Sequence, residues 1–174
     1  MSTSLIAALT HPYPLIRGGG IFLICVGLGF FLGLFFPRRW IPLAAGGFIA
    51  GFTCSGLSAL LPSLGSPSFL NIAALVVAVL FEVAAIVYLV RKFGDSDERR
   101  LTLSIMLVVG LHFVIMGWAH GPLIAALGVL TAINAAVGLF ALPNAPIKAF
   151  YLPDSVLKIA FGVWMLVFYP AYAF

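Results

Sequence analysis

Charge is what this sequence lacks most. Nine Lys and Arg and five Asp and Glu make up 8% of its 174 residues, where a soluble domain carries about 25%. Hydrophobic residues make up 63%. So few charges could not cover the surface of a water-exposed domain, and so apolar a chain is not a disordered tail. Two cysteines are too few for a disulfide-stapled secreted module. Catalytic signatures are missing too. There is no Gly-Lys-Ser/Thr phosphate loop, no His-Glu-x-x-His, no Gly-x-Ser-x-Gly and no pair of intramembrane aspartates,. No aromatic-interleaved basic stripe points to nucleic acid. A b-type haem is disfavoured, because His112 is the one histidine inside an apolar run. The expectation is therefore a non-enzyme with no metal, no cofactor and no nucleic-acid partner.

What is present is a series of long apolar runs separated by short breaks. A membrane-spanning helix needs about 20 apolar residues. Six of them use about 120 residues and leave roughly 54 for termini and loops, too few for a soluble catalytic domain. The predicted fold is all-α, one transmembrane domain over 1–174 with spans at 18–36, 40–61, 69–90, 101–119, 123–142 and 154–170. Pro37-Arg38-Arg39 closes the first span, and Pro62 ends the second. Residues 91–100 are the one strongly hydrophilic stretch, where Asp95-x-x-Glu98 fits a helix start. His120-Gly121-Pro122 makes a tight turn, and 143–153 reads as a Pro-punctuated connection. The segments are apolar on every side and too long for barrel strands. The first 17 residues lack the basic flank of a signal peptide.

Lys and Arg set the orientation. The loops at 37–39, 91–100 and 143–153 carry Arg38, Arg39, Arg91, Lys92, Arg99, Arg100 and Lys148, against Arg17 alone on the other side. Basic loops stay cytoplasmic. This predicts both termini outside, in a multi-pass plasma-membrane protein. The lipid bilayer is the expected partner, with a homo-oligomer or a larger membrane complex as further options.

A few polar residues interrupt the spans. Lys158, Asn134, Glu82 and His112 fall roughly 8, 10, 13 and 18 Å from the basic side at 1.5 Å per residue. They come from four different helices, at depths where an acidic or basic group costs about 2.5–3.5 kcal/mol to insert. Glu82 shares a face with Ala74, Ala78 and Ala85 and so points at other helices. It could be a hydrogen-bond donor, an ion-pair partner, or a proton or cation site. Lys158 is a candidate partner for Glu82, but also sits four residues after Asp154 on one helix face. His112 and Asn134 could equally be packed, hydrogen-bonded residues. In the first two spans, Gly29 and Gly33, then Gly47, Gly51, Ser55 and Ala59, recur every four residues, the spacing of close helix packing or of a dimer face. Cys25 and Cys54 lie at similar depth, and whether they meet is left open.

Val108-Val109-Gly110-Leu111-His112-Phe113, followed by a tight turn, a Gly/Ala-rich helix and Asp154 opening a last span, is similar to small bacterial six-span integral membrane proteins of unassigned function. The resemblance covers the C-terminal half. It implies a bacterial inner-membrane location and supplies no activity. Two functions fit the polar cluster: a permease, channel or proton-linked carrier for a small solute or ion, and a non-catalytic structural or accessory subunit. The orientation is testable by labelling. With Cys25 and Cys54 removed, a cysteine at Ser2 is expected to react with an impermeant maleimide in intact cells, and one at Ser96 is not. The reverse pattern would invert the topology.

Overall fold

The computed structural model describes residues 11–61, 63–94 and 96–172. Six α-helices account for most of them, with no strand among the described residues. They are α1 (Ile16–Phe35), α2 (Trp40–Leu57), α3 (Phe69–Phe93), α4 (Glu98–His120), α5 (Pro122–Ala136) and α6 (Lys148–Val167). Five of these segments are long and apolar enough to cross a membrane, α5 counting its extension to Ala141. The sixth, α2, is a shorter apolar helix over Pro42–Leu57, continued by a 3-10 turn over Ser58–Leu60.

The breaks act through local chemistry. Ser68 caps α3 by accepting from the Asn71 backbone N–H, while the Asn71 side chain accepts from the Ser68 N–H, so two otherwise orphaned donors are satisfied. Asp97 caps α4, its carboxylate accepting from the Arg100 N–H at 2.8 Å. The cap is thus Asp97, and Asp95 lies outside the described residues. Gly121 has φ +100, a conformation that a side chain would strain, and Pro122 follows as the first residue of α5. The turn between α4 and α5 therefore needs no further loop.

The last helix corrects the sequence reading. It starts at Lys148 and not at 154, so residues 148–153 of the expected connection are helical and Pro153 lies inside the helix. Pro153 sits in the second turn of the helix, where its missing N–H leaves the Ala149 carbonyl without its internal donor,. The adjacent Phe150 carbonyl accepts from Nδ2 of Asn134 on α5 at 2.8 Å, which ties α5 to this turn.

Helix α1 packs between α2 and α6, α4 packs between α3 and α5, and α5 meets α6. Four helices share a core: Ile16 and Leu23 of α1, Phe113 of α4, Ile124 and Leu127 of α5, and Met165 of α6. A second cluster, Leu103, Met106, Ala135 and Phe150, lies nearer the end that carries the basic loops. Helices α2 and α3 lean on the outside. On α3 only Asn71, Ala74 and Ala78 are buried.

Small residues set the helix spacing. A Cβ on Gly29 would lie 2.6 Å from the Leu43 carbonyl oxygen, and one on Gly47 would lie 2.7 Å from that of Cys25. Gly33 meets Trp40, Gly51 meets Phe22, and Ser55 meets Gly18. This stripe is the α1–α2 contact. The Ala59 side chain lies outside the described residues. Cys25 and Cys54 are free thiols in mutual contact across the same seam. The closest crossing joins α4 to α5, where a Cβ on Gly110 would lie 2.6 Å from the Ala132 nitrogen and one on Gly128 would lie 2.5 Å from the Gly110 oxygen. Since backbone cannot yield as a flexible side chain can, Gly110→Ala is expected to destabilise the protein by about 1–3 kcal/mol in mild detergent. Gly46→Ala, with nothing within 4 Å, is expected to be neutral or mildly stabilising. Equal unfolding temperatures for the two variants would mean that this crossing is loose.

Candidate functional site

Two pairs of ionisable side chains lie within the bundle. Lys158 is 2% exposed and bonds the Asp154 carboxylate, which is 1% exposed, one turn earlier on α6. Its Nζ lies 5.7 Å from the ring centres of both Phe30 on α1 and Phe113 on α4, within cation–π range. In the second pair, Nδ1 of His112 on α4 lies 2.6 Å from Oε2 of Glu82 on α3. The direction of that approach falls outside hydrogen-bond geometry for the ring nitrogen, so the contact is electrostatic and tight but not a well-aligned bond.

This arrangement decides between the two partners that the sequence offers Lys158. Lys158 pairs with Asp154 and not with Glu82, because α3 leans on α4 while Lys158 faces α1 and α4 from the far side of Phe113. Phe113 joins the two pairs physically. The His112 ring centre lies 5.4 Å from that of Phe113, whose ring also faces Lys158. Asn134 belongs to neither pair and donates to the Phe150 carbonyl. Six buried side-chain N and O atoms have no hydrogen-bond partner among the described residues: Nε of Arg99, Nδ1 and Nε2 of His112, Nδ1 of His120, Oγ1 of Thr131 and Oδ1 of Asp154. Thr131, on α5, is fully buried. At 1.5 Å per residue it sits about 15 Å from the basic end of its helix, roughly the depth of Lys158.

Arg99 carries a role the sequence did not disclose. Residues Val137–Ala141 form a π-helical turn that ends α5. Nη2 of Arg99 donates to the carbonyls of Gly138, Leu142 and Ala145 at 3.1, 3.0 and 3.3 Å. A helix C-terminus leaves carbonyls unpaired and carries partial negative charge, and the guanidinium answers both. In the sequence Arg99 is one of four basic residues around a polar loop, and nothing local marks it as the one that turns inward.

Beside Arg99 lies a cavity of about 380 Å³. It opens at the basic end, between the C-terminal turn of α1 and the first turns of α4. Phe30, Gly33, Leu34, Trp40, Ile147 and Tyr151 supply its apolar wall, and Glu98, Arg99, Thr102, Asn144 and Lys148 its polar side. The Phe30 and Tyr151 rings stack with centres 6.0 Å apart, and the Trp40 ring lies the same distance from Tyr151. Phe30 therefore separates the cavity from Lys158. Glu82 and His112 do not line it.

At the opposite end the described turns are tied together. Nε2 of His11 bonds the Tyr169 carbonyl at 2.8 Å, and the His11 N–H donates to the Leu64 carbonyl at 2.8 Å. Tyr13, Leu64 and Tyr169 cap the four-helix core. Nδ2 of Asn71 donates to the Trp118 carbonyl at 2.7 Å and ties α3 to α4. Among the described residues no group of three or more His, Cys, Asp or Glu side chains is placed to hold a metal.

A family of unknown function, DUF6609, matches residues 8–173 of the chain. No curated protein and no solved structure matches. The pairing itself is open to a double-mutant cycle. Lys158→Met alone is expected to destabilise the protein by about 3–5 kcal/mol, because it strands a buried carboxylate. Adding Asp154→Asn should recover much of that loss, and adding Glu82→Gln should not. Unfolding in mild detergent reads the result, and rescue by Glu82→Gln instead would reassign the partner.

Proposed function

The chain belongs to the DUF6609 family, and from its own residues we propose that it is a small membrane-embedded permease, channel or proton-linked carrier for a small solute or ion. In this reading 1–174 is one six-span domain of a bacterial plasma membrane, with both termini outside and the loops at 37–39, 91–100 and 143–153 cytoplasmic. Large apolar side chains exposed all around the bundle, among them Phe35, Phe69, Leu80 and Phe140, support burial in lipid. The length of α2 supports a sixth span. Its 18 helical residues and 3-10 turn extend roughly 33 Å, against about 30 Å of hydrocarbon.

The observation that carries the reading is the buried pair Lys158–Asp154, placed behind one aromatic side chain from an open cavity. Buried ion pairs are weak contributors to stability, and ionisable groups inside a membrane commonly mark ion or substrate paths. The cavity gives access from the cytoplasmic side as far as Phe30. The tightly packed cluster around Leu23, Phe113 and Met165 blocks the other side. In the carrier reading this corresponds to an inward-open state. Glu82 and His112, one helix further on, supply a second exchangeable proton site beside Phe113.

The accessory-subunit reading has its own support. Both deep carboxylates are paired, and the cavity does not reach Glu82. An apolar groove between α3 and α4, lined by Leu70, Ala73, Ala74, Val77, Ile115 and Trp118, is available to another helix.

Proteoliposomes separate the two. The purified protein is expected to collapse an imposed pH gradient faster than empty liposomes do. Glu82→Gln should abolish this while keeping a normal unfolding temperature, since the amide keeps the shape of the neutral acid. Normal folding with no flux of protons or common cations, in wild type and variant alike, would favour the accessory role.

A further inference from the structure

The cavity at the basic end has a composition that names its occupant more closely than a small solute. Its wall is aromatic and aliphatic, from Phe30, Leu34, Trp40, Ile147 and Tyr151. Its polar side holds two cations, Arg99 and Lys148, and one carboxylate, Glu98. Lys148 is the first residue of α6 and is exposed, so its ammonium adds to the positive end of that helix. No side chain caps that helix start. Arg99 is anchored by three carbonyls, and its Nε is buried without a partner. Glu98 occupies the first position of α4 and is exposed, where water screens it. The site therefore combines a dry apolar wall with a net positive rim. Trp40 sits beside the basic turn Pro37–Arg39, the position that aromatic anchors take at a membrane interface.

We propose that this cavity binds an amphiphilic anion, a carboxylate or phosphate monoanion on an apolar body, with its head at Lys148 and Arg99 and its body against Phe30, Leu34 and Trp40. At about 380 Å³ the volume lies in the range of ligand pockets. It holds a single-chain amphiphile, or the head and first part of one chain of a lipid. The proposal deepens the carrier reading by naming its cargo and rests on that reading only for transport. Binding itself needs no flux.

The test uses quenching of Trp40 in full-length protein reconstituted in phosphatidylcholine, with the exposed Trp118 and Trp164 changed to Phe. The probes are dibromostearate, ionised in mildly alkaline buffer, and its methyl ester, which has the same body and no charge. The carboxylate is expected to quench at an about fivefold lower mole fraction than the ester, the weight of one lysine beside an anion. Lys148→Gln should remove that preference, and Lys148→Arg should keep it. Lys92→Gln, which removes an exposed lysine outside the cavity, should also leave it intact. Equal quenching by acid and ester would overturn the proposal. So would a loss in Lys92→Gln as large as in Lys148→Gln, which would mean diffuse surface attraction. Inorganic phosphate that reverses the quenching would overturn the need for an apolar body. Brominated phosphatidylglycerol distinguishes the source: quenching as strong as the fatty acid's supports a leaflet lipid, and weaker quenching supports a single-chain amphiphile. An intact acid preference in a protein that shows no flux would sink the carrier reading and leave the binding site standing.

Discussion

An ammonium group in the middle of an apolar bundle must be neutralised, and the way Lys158 meets this need governs the arrangement of three helices. Its carboxylate partner comes from its own helix, one turn away. The rest of its environment comes from elsewhere, with Phe30 of α1 on one side and Phe113 of α4 on the other. A lysine near the end of a lone helix would snorkel to the headgroups. Here it is 2% exposed, so α1 and α4 must close over it. The same two aromatic rings face outward to the remaining chemistry. Phe30 forms the inner wall of the basic-end cavity, and Phe113 lies against His112 and hence Glu82. Changes at the pair should therefore be felt at both.

The backbone spacing that allows this closure depends on glycine. With no hydrophobic drive between helices in lipid, association relies on packing contact and on residues small enough to admit it. Gly110 and Gly128 bring α4 and α5 into backbone contact, and Gly29 and Gly47 do so for α1 and α2. Where α4 and α5 are drawn together along their length, α5 has to finish beneath the start of α4. It does so with a π-helical turn whose free carbonyls Arg99 collects. The cavity then occupies the space left where α1 and α4 diverge beside that latch. Packing at one depth and an opening at another are two results of the same geometry.

Much of the architecture was legible in the residues. Apolar runs separated by Pro, Gly and clustered charge marked six helices, and Gly121-Pro122 marked the tightest turn. The start of α6 was misplaced because Pro153 reads as a helix stop. The proline falls in the second turn of α6, and Asn134, two residues from the end of α5, ties that turn to the bundle through the Phe150 carbonyl. No local pattern contains that contact. The polar residues were recognisable by their depth, since 1.5 Å per residue converts sequence position to height. Asp154, four residues before Lys158 on one helix face, was legible as a partner; the contact of Glu82 with His112 across two helices was not.

The sequence by itself determined that the chain is helical, that its helices are long and apolar, and which end carries the positive charge; the depth of Lys158 shifted with the true start of its helix at Lys148. The first three properties follow from composition and from the period of one helix, and need no knowledge of neighbours. Only the tertiary structure decided which helices touch, and therefore that Lys158 is shut between two phenylalanines, that Arg99 turns inward to a helix end, and that a largely apolar cavity with a polar side forms beside it. The physical reason is that apolar helices present similar surfaces on all sides. Which faces meet is settled by a few backbone contacts at glycine between residues distant in the chain, and only their combined packing energy selects the set that forms.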